Sequence, residues 1–111
     1  MHEYGIALEI ARVAQEGAGG RTIMQINLRV GELSGVFVDS VALYLELIFR
    51  EKNLKPPRLV STPAPAVFQC ACGNRYSPAK PFDPCPACNG FYRTIVDGKE
   101  CTIESIEVDD G

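Results

Sequence analysis

Apolar positions near the amino terminus recur at helical spacing. Ile6, Ile10 and Val13 stand three or four residues apart, and Ala7, Leu8, Ala11 and Ala14 widen the same face. This predicts an amphipathic helix over 4–16. Gly17-Ala18-Gly19-Gly20 ends it. The period then drops to two. Met24, Ile26, Leu28 and Val30 alternate with Gln25, Asn27 and Arg29, the mark of a strand over 23–30 with one buried face. Gly31-Glu32-Leu33-Ser34-Gly35 reads as a loop. Helical spacing returns with Val41, Leu45 and Ile48 on one stripe and Tyr44 and Leu47 beside it. This second helix runs to about Lys52, with Asp39 or Ser40 as its expected cap. A short strand is expected over 59–62. A last one carries Cys101, Ile103, Ile106 and Val108, and its alternation slips at Glu104-Ser105, which predicts a bulge.

The expected fold class is α+β: a small three-stranded sheet (strands near 23–30, 58–62 and 101–108) under two helices, with an inserted zinc-ribbon-like lobe. Composition marks the insertion. All eight prolines lie between Pro56 and Pro86, and four of the five cysteines lie between Cys70 and Cys88. Residues 65–99 carry a net charge of +2 and the remainder −5. The expected division is therefore one domain from 1–64 and 100–111, and a second from 65–99. A lone hairpin in that second segment could not hold itself together, so the lobe needs a staple.

Length and charge narrow the function. A chain of 111 residues is too short for a doubly wound sheet or a barrel. The net charge of −3 argues against a general nucleic-acid binder. The first residues lack the basic start and apolar core of a signal peptide, and no apolar run reaches the ~20 residues of a membrane span. A reducing cytoplasm is the expected location, where clustered cysteines bind metal more often than they form disulfides. No histidine stands ready as a base for Ser34, Ser40 or the thiols, so an enzyme is not expected.

The cysteines form two close pairs, Cys70-Ala71-Cys72-Gly73 and Cys85-Pro86-Ala87-Cys88-Asn89-Gly90. Four thiolates so arranged suit tetrahedral Zn²⁺. Each turn needs a residue tolerant of positive φ after its second cysteine, and Gly73 and Asn89-Gly90 supply it. The first pair is one residue shorter than the usual C-x₂-C, so its signal is weaker. Iron, a redox-active Cys70–Cys72 pair, and Cys101 in place of Cys70 stay open as alternatives. Cys101 otherwise reads as a small inward-facing hydrophobe of the last strand. A zinc-ribbon module binding nucleic acid or a protein complex is the alternative function.

The single histidine is His2, beside Met1. Methionine removal requires a small second residue, so Met1 is expected to stay. The Met1 amine, the His2 amide and the His2 Nδ1 can chelate one ion, with Glu3 supplying a further donor through its amide or carboxylate. An all-nitrogen planar set favours Ni²⁺ or Cu²⁺ over Zn²⁺ or Mg²⁺. Because the first amides of a helix lack intrahelical acceptors, those of His2 and Glu3 are free to deprotonate onto the metal.

Together these pieces resemble the HypA/HybF family of hydrogenase maturation proteins, which are nickel metallochaperones. The matching residues are Met1-His2-Glu3, Val30-Gly31-Glu32-Leu33-Ser34-Gly35-Val36, Asp39-Ser40, the two cysteine pairs, Gly98-Lys99-Glu100 and Ile103-Glu104-Ser105-Ile106-Glu107. The resemblance spans nearly the whole chain. It implies a nickel site on Met1, His2 and Glu3, and zinc ligands at Cys70, Cys72, Cys85 and Cys88. It further implies Ni²⁺ delivery to the large subunit of [NiFe]-hydrogenase with the partner GTPase HypB, and in some organisms to urease. Two departures stand out. The family's usual first zinc cysteine would fall at Gln69, and an aliphatic residue is usual where Cys101 stands.

Overall fold

The computed structural model describes residues 2–80 and 82–109. Its elements, in chain order, are α1 (Glu3–Ala18), β1 (Thr22–Gly31), α2 (Val38–Glu51), β2 (Arg58–Ala64), β3 (Val67–Cys70), β4 (Arg75–Tyr76), β5 (Arg93–Asp97) and β6 (Cys101–Asp109). They build two three-stranded sheets, ordered β2-β1-β6 and β4-β3-β5. The molecule is long and narrow, 55 × 26 × 17 Å.

In the first sheet β1 lies at the centre, parallel to β2 and antiparallel to β6. The parallel pair requires a crossover, and α2 provides it. Helices α1 and α2 pack on one another and on one face of this sheet. The core there is Ala7, Ile10, Ala11, Ala14 and Ala18 of α1, Val41, Leu45, Ile48 and Phe49 of α2, and Ile23, Ile26 and Leu28 of β1. The alternate residues Gln25 and Asn27 face away and hydrogen-bond to Glu107 and Ser105 of β6.

Two details of the helices differ from expectation. Leu8 and Val13 are about two-fifths exposed, at 43% and 40%, because the buried stripe of α1 runs through its alanines. Small side chains let the helix approach α2 and the sheet closely, which pushes the larger neighbours to the rim. Helix α2 is not capped by Asp39 or Ser40. Phe37 holds the N-cap position without a side-chain cap, and Asp39 lies inside the first turn, where its charge meets the positive end of the helix dipole. The expected bulge is present: Asn27 pairs with Ser105 and Leu28 with Ile103, leaving Glu104 without a partner.

The second sheet has three strands, rather than one hairpin. Strand β3 pairs antiparallel with β4 on one side and β5 on the other. Among the described residues its buried hydrophobic cluster is Phe68, Cys70, Tyr76 and Cys85. Strands β2 and β3 are separated by Pro65-Ala66, and β5 and β6 by Gly98-Lys99-Glu100, so the chain crosses twice between the sheets. The turn after β1 sits at that crossing. Gly31 N–H donates to Glu100 O (2.9 Å), Glu32 N–H to Ala64 O (2.8 Å) and Leu33 N–H to Gly98 O (2.8 Å). Ala66 N–H donates to the Glu32 carboxylate at 2.7 Å. No helix among the described residues is long and apolar enough to cross a membrane.

Candidate metal centres

Four cysteine sulfurs converge in the second sheet's lobe. Cys70 ends β3, Cys72 stands in the turn to β4, and Cys85 and Cys88 lie in the loop between β4 and β5. Their Sγ atoms all lie within 4.8 Å of one another. Two contacts run between the pairs: Cys70 to Cys88 at 3.4 Å and Cys72 to Cys85 at 3.7 Å. A tetrahedron with Zn–S bonds of about 2.3 Å has edges of about 3.8 Å. The donor set therefore fits Zn²⁺ in type, number and spacing.

Local hydrogen bonds explain how the short first pair reaches the cluster. Cys70 N–H donates to Asn74 O and Gly73 N–H to Cys70 O, each at 2.9 Å. Gly73 takes φ +93°, a value that side chains disfavour, and so closes the turn one residue early. In the second pair Cys85 N–H donates to Gly90 O (3.0 Å) and Asn89 N–H to Cys85 O (2.7 Å), with Asn89 at φ +61°. The Asn74 side-chain amide then links the two turns, donating to Cys85 Sγ at 3.5 Å.

These donors set the charge of the sulfurs. Burial pushes the Cys85 thiol up, but the Asn74 amide and the backbone N–H groups of Cys88 and Ala87 favour the thiolate more strongly, and its pKa falls to about 6. The Cys70 sulfur beside Cys88 works the other way, against a helpful Gly90 N–H, and the Cys88 thiol is pushed up to about 12. Crowded sulfurs cannot all ionise without a cation between them. That is the electrostatic setting in which a divalent ion displaces protons.

Arg93 braces this lobe. Its guanidinium lies 4.2 Å from the centre of the Phe68 ring, and Nη1 donates to Tyr76 Oη (3.1 Å) and Asp83 O (2.7 Å). It thereby ties the cysteine-bearing loop to all three strands. Neither Arg93 nor Asn74 stood out in the sequence. The position of Asn74 directly after Cys72-Gly73 is a readable signal, whereas nothing local marks Arg93.

Cys101 lies elsewhere. It pairs with Val30 across β1 and β6 and packs against the helix-covered core. Burial raises its thiol pKa.

The residues expected at the nickel site open α1. Met1 lies outside the described residues. His2 is exposed at the N-cap position, with φ −104° and no side-chain cap, and its carbonyl accepts from Ile6 N–H at 3.0 Å. Glu3 begins the helix, half-buried. One of its carboxylate oxygens is shielded from solvent and has no hydrogen-bond partner among the described residues. Tyr4 packs edge-on against Tyr44 of α2, 5.3 Å between ring centres, which anchors this first turn to the helix pair.

Known proteins resemble the chain over its full length. Residues 1–108 match the profile of a family described as hydrogenase/urease nickel incorporation, metallochaperone, HypA. The hydrogenase maturation factor HypA of Geobacter metallireducens is 34% identical over 110 residues, covering 98% of this chain and all of that protein. A HypA of Dehalococcoides mccartyi is 38% identical over 114 residues, covering 99% of this chain and 96% of its own. The solution structure of the nickel metallochaperone HypA from Helicobacter pylori superposes with a TM-score of 0.72 at 21% identity, over 97% of both chains. That identity speaks for a shared fold alone. From the family match and these relatives, the chain belongs to the HypA family of nickel metallochaperones in hydrogenase maturation.

Proposed function

We propose that the chain carries Ni²⁺ on its amino terminus and keeps a structural Zn²⁺ in the cysteine lobe. Membership of the HypA family supplies the role, a carrier of nickel in hydrogenase maturation rather than a catalyst. The observation that carries the nickel reading is His2, exposed at the start of α1 with the unsatisfied amides of the first turn beside it. The Met1 amine, the His2 amide and imidazole, and Glu3 would form a site open on its faces, from which a partner can take the ion by ligand exchange. The GTPase HypB and the hydrogenase large subunit, or urease, are the proposed partners, in the cytoplasm.

Cys70, Cys72, Cys85 and Cys88 are the proposed zinc ligands. Zn²⁺ bound there would supply a cross-link between the two turns, and four thiolates leave no open position for a catalytic water. The corresponding division is a nickel domain from 1–64 and 100–111, and a zinc domain from 65–99. The reading as a zinc-ribbon module for nucleic acid is not favoured. Four thiolates around one divalent ion carry two negative charges, which cancel the +2 of residues 65–99.

The test is metal binding by protein with its native terminus. Parent protein is expected to bind Ni²⁺, while His2→Ala and an acetylated amine each abolish that site and leave zinc content unchanged. Unaltered Ni²⁺ titration of either would refute the terminal site. X-ray absorption at the zinc edge is expected to show four sulfur ligands.

A further inference from the structure

Two short links carry the chain between the sheets, Pro65-Ala66 on the way out and Gly98-Lys99-Glu100 on the way back. Among the described residues the two sheets share no strand. The links lie side by side: a Cβ on Gly98 would stand 2.7 Å from Ala66 Cα. A lobe held only there would swing about a single pivot, so whatever fixes its orientation must come from another part of the chain.

The end of β1 supplies it. Val67 of β3 pairs with Asp97 of β5, and these residues form the foot of the second sheet. Arg29 and Glu32, three residues apart, grip that foot on both of its strands. Arg29 donates to the two Asp97 oxygens at 3.0 and 2.7 Å, beside the second link. The Glu32 carboxylate accepts from Ala66 N–H at 2.7 Å, at the first link. The turn that carries Glu32 is itself held in place, because Glu32 N–H donates to Ala64 O and Leu33 N–H to Gly98 O, each at 2.8 Å.

The two grips differ in what replaces them when they part. The Arg29 and Asp97 side chains are 36% and 46% exposed, so water can solvate both. Ala66 is only 3% exposed, and its N–H lies outside the ladders of β2 and β3. A buried N–H needs an acceptor, and the Glu32 carboxylate provides it. Without that oxygen the N–H must turn toward water, which rotates the start of β3 and the lobe with it. Side-chain packing leaves room for the movement: Glu32 and Leu33 face Phe68, Pro78 and Ala79 across a cleft of about 50 Å³.

We propose that Glu32 is the clamp that fixes the second sheet against the first, with Arg29 as a second grip, and that opening it turns the paired links into a hinge. The inference rests on neither metal reading. While the clamp is closed, the start of α1 and the cysteine lobe belong to one rigid body, and a partner that touches both meets a preset geometry.

The test is residual dipolar coupling of amides in weakly aligned full-length protein with zinc supplied, a measurement that averages over motions into the millisecond range. In the parent, one alignment tensor is expected to fit both sheets in the orientation seen here. Glu32→Ala is expected to need two, the one for β3–β5 reduced in magnitude, while dispersed shifts in those strands show that the lobe itself is folded. Glu32→Gln, whose side-chain oxygen still accepts from Ala66 N–H, is expected to restore the single tensor. A parent that already needs two tensors overturns the inference, as does a folded Glu32→Ala that keeps one. If Glu32→Ala loses the dispersed shifts of the lobe, Glu32→Asp carries the same test. Its carboxylate falls one methylene short of Ala66, and a single tensor there overturns the clamp.

Discussion

Asn74 has no metal-binding chemistry of its own, yet its side-chain amide is what joins the two cysteine turns, at 3.5 Å from Cys85 Sγ. Outer partners of this kind hold a ligand in place and favour its charged form. Asn74→Ala is expected to lower zinc affinity about tenfold, read by competition with a chromophoric chelator. Asn74→Asp places a carboxylate beside the thiolates and is expected to weaken binding further. Across the crossing between the sheets, Cys101 is a thiol without a part in the cluster. Its strand position among apolar residues explains its burial, so Cys101→Val is expected to keep full zinc content and to hold or raise the thermal midpoint. The four cysteines were legible from spacing alone because turn geometry is local. Arg93 was not, because its partners Phe68, Tyr76 and Asp83 meet it only after three strands assemble.

Between elements, the backbones pack tightly at the crossing from one sheet to the other. Gly31 and Gly98 touch through their backbones, and a Cβ on Gly98 would lie 2.7 Å from Ala66 Cα. Gly98 also takes φ +83°. Gly98→Ala is therefore expected to destabilise the protein by more than about 2 kcal/mol, measured by denaturant unfolding with zinc bound. The same crossing holds an ion pair: Arg29 of β1 donates to both Asp97 oxygens of β5, at 3.0 and 2.7 Å. Arg29, followed by the Gly98 N–H, lowers the Asp97 pKa below its usual range. A depressed acid stabilises the fold fully above its unfolded pKa, and that contribution is lost as pH falls through the folded value. The difference in thermal midpoint between the parent and Asp97→Asn is thus expected to be constant near neutrality and to shrink toward zero in acid. Exposure of both side chains keeps the effect modest.

Across the whole molecule, the two sheets have unequal means of support. The helix-covered sheet owns a core drawn from α1, α2 and β1, whereas the hydrophobic cluster of the cysteine lobe holds four of the described residues, two of them cysteines. So small a cluster does not offset the entropy of ordering its strands without a cross-link. Chelation of zinc is expected to collapse the amide signals of β3–β5 into the narrow range of an unfolded chain, leaving α1, α2 and β1 ordered, as nitrogen–proton correlation spectra would show. Restored zinc should return the lobe. The proposed nickel site opens the helix packed on the first sheet and the proposed zinc ligands stand in the second sheet's lobe; the loop Glu32-Leu33, bonded to Ala64, Ala66 and Gly98, is one link between the two sheets.

Much of this architecture follows from the sequence by itself. Helical and alternating periods place two helices and the three strands of the main sheet, because each pattern states which face must be buried. The cysteine spacing marks the lobe in which four sulfurs converge, because the turns that carry them are local. The tertiary structure decided what depends on distant parts of the chain. It gave α1 an alanine face, since only the packed helix pair sets how close the helices come. It made the lobe a three-stranded sheet by adding β5, more than twenty residues beyond β3. It placed Cys101 on the far side of the crossing from the other sulfurs, where strand register, rather than sequence spacing, determines its neighbours.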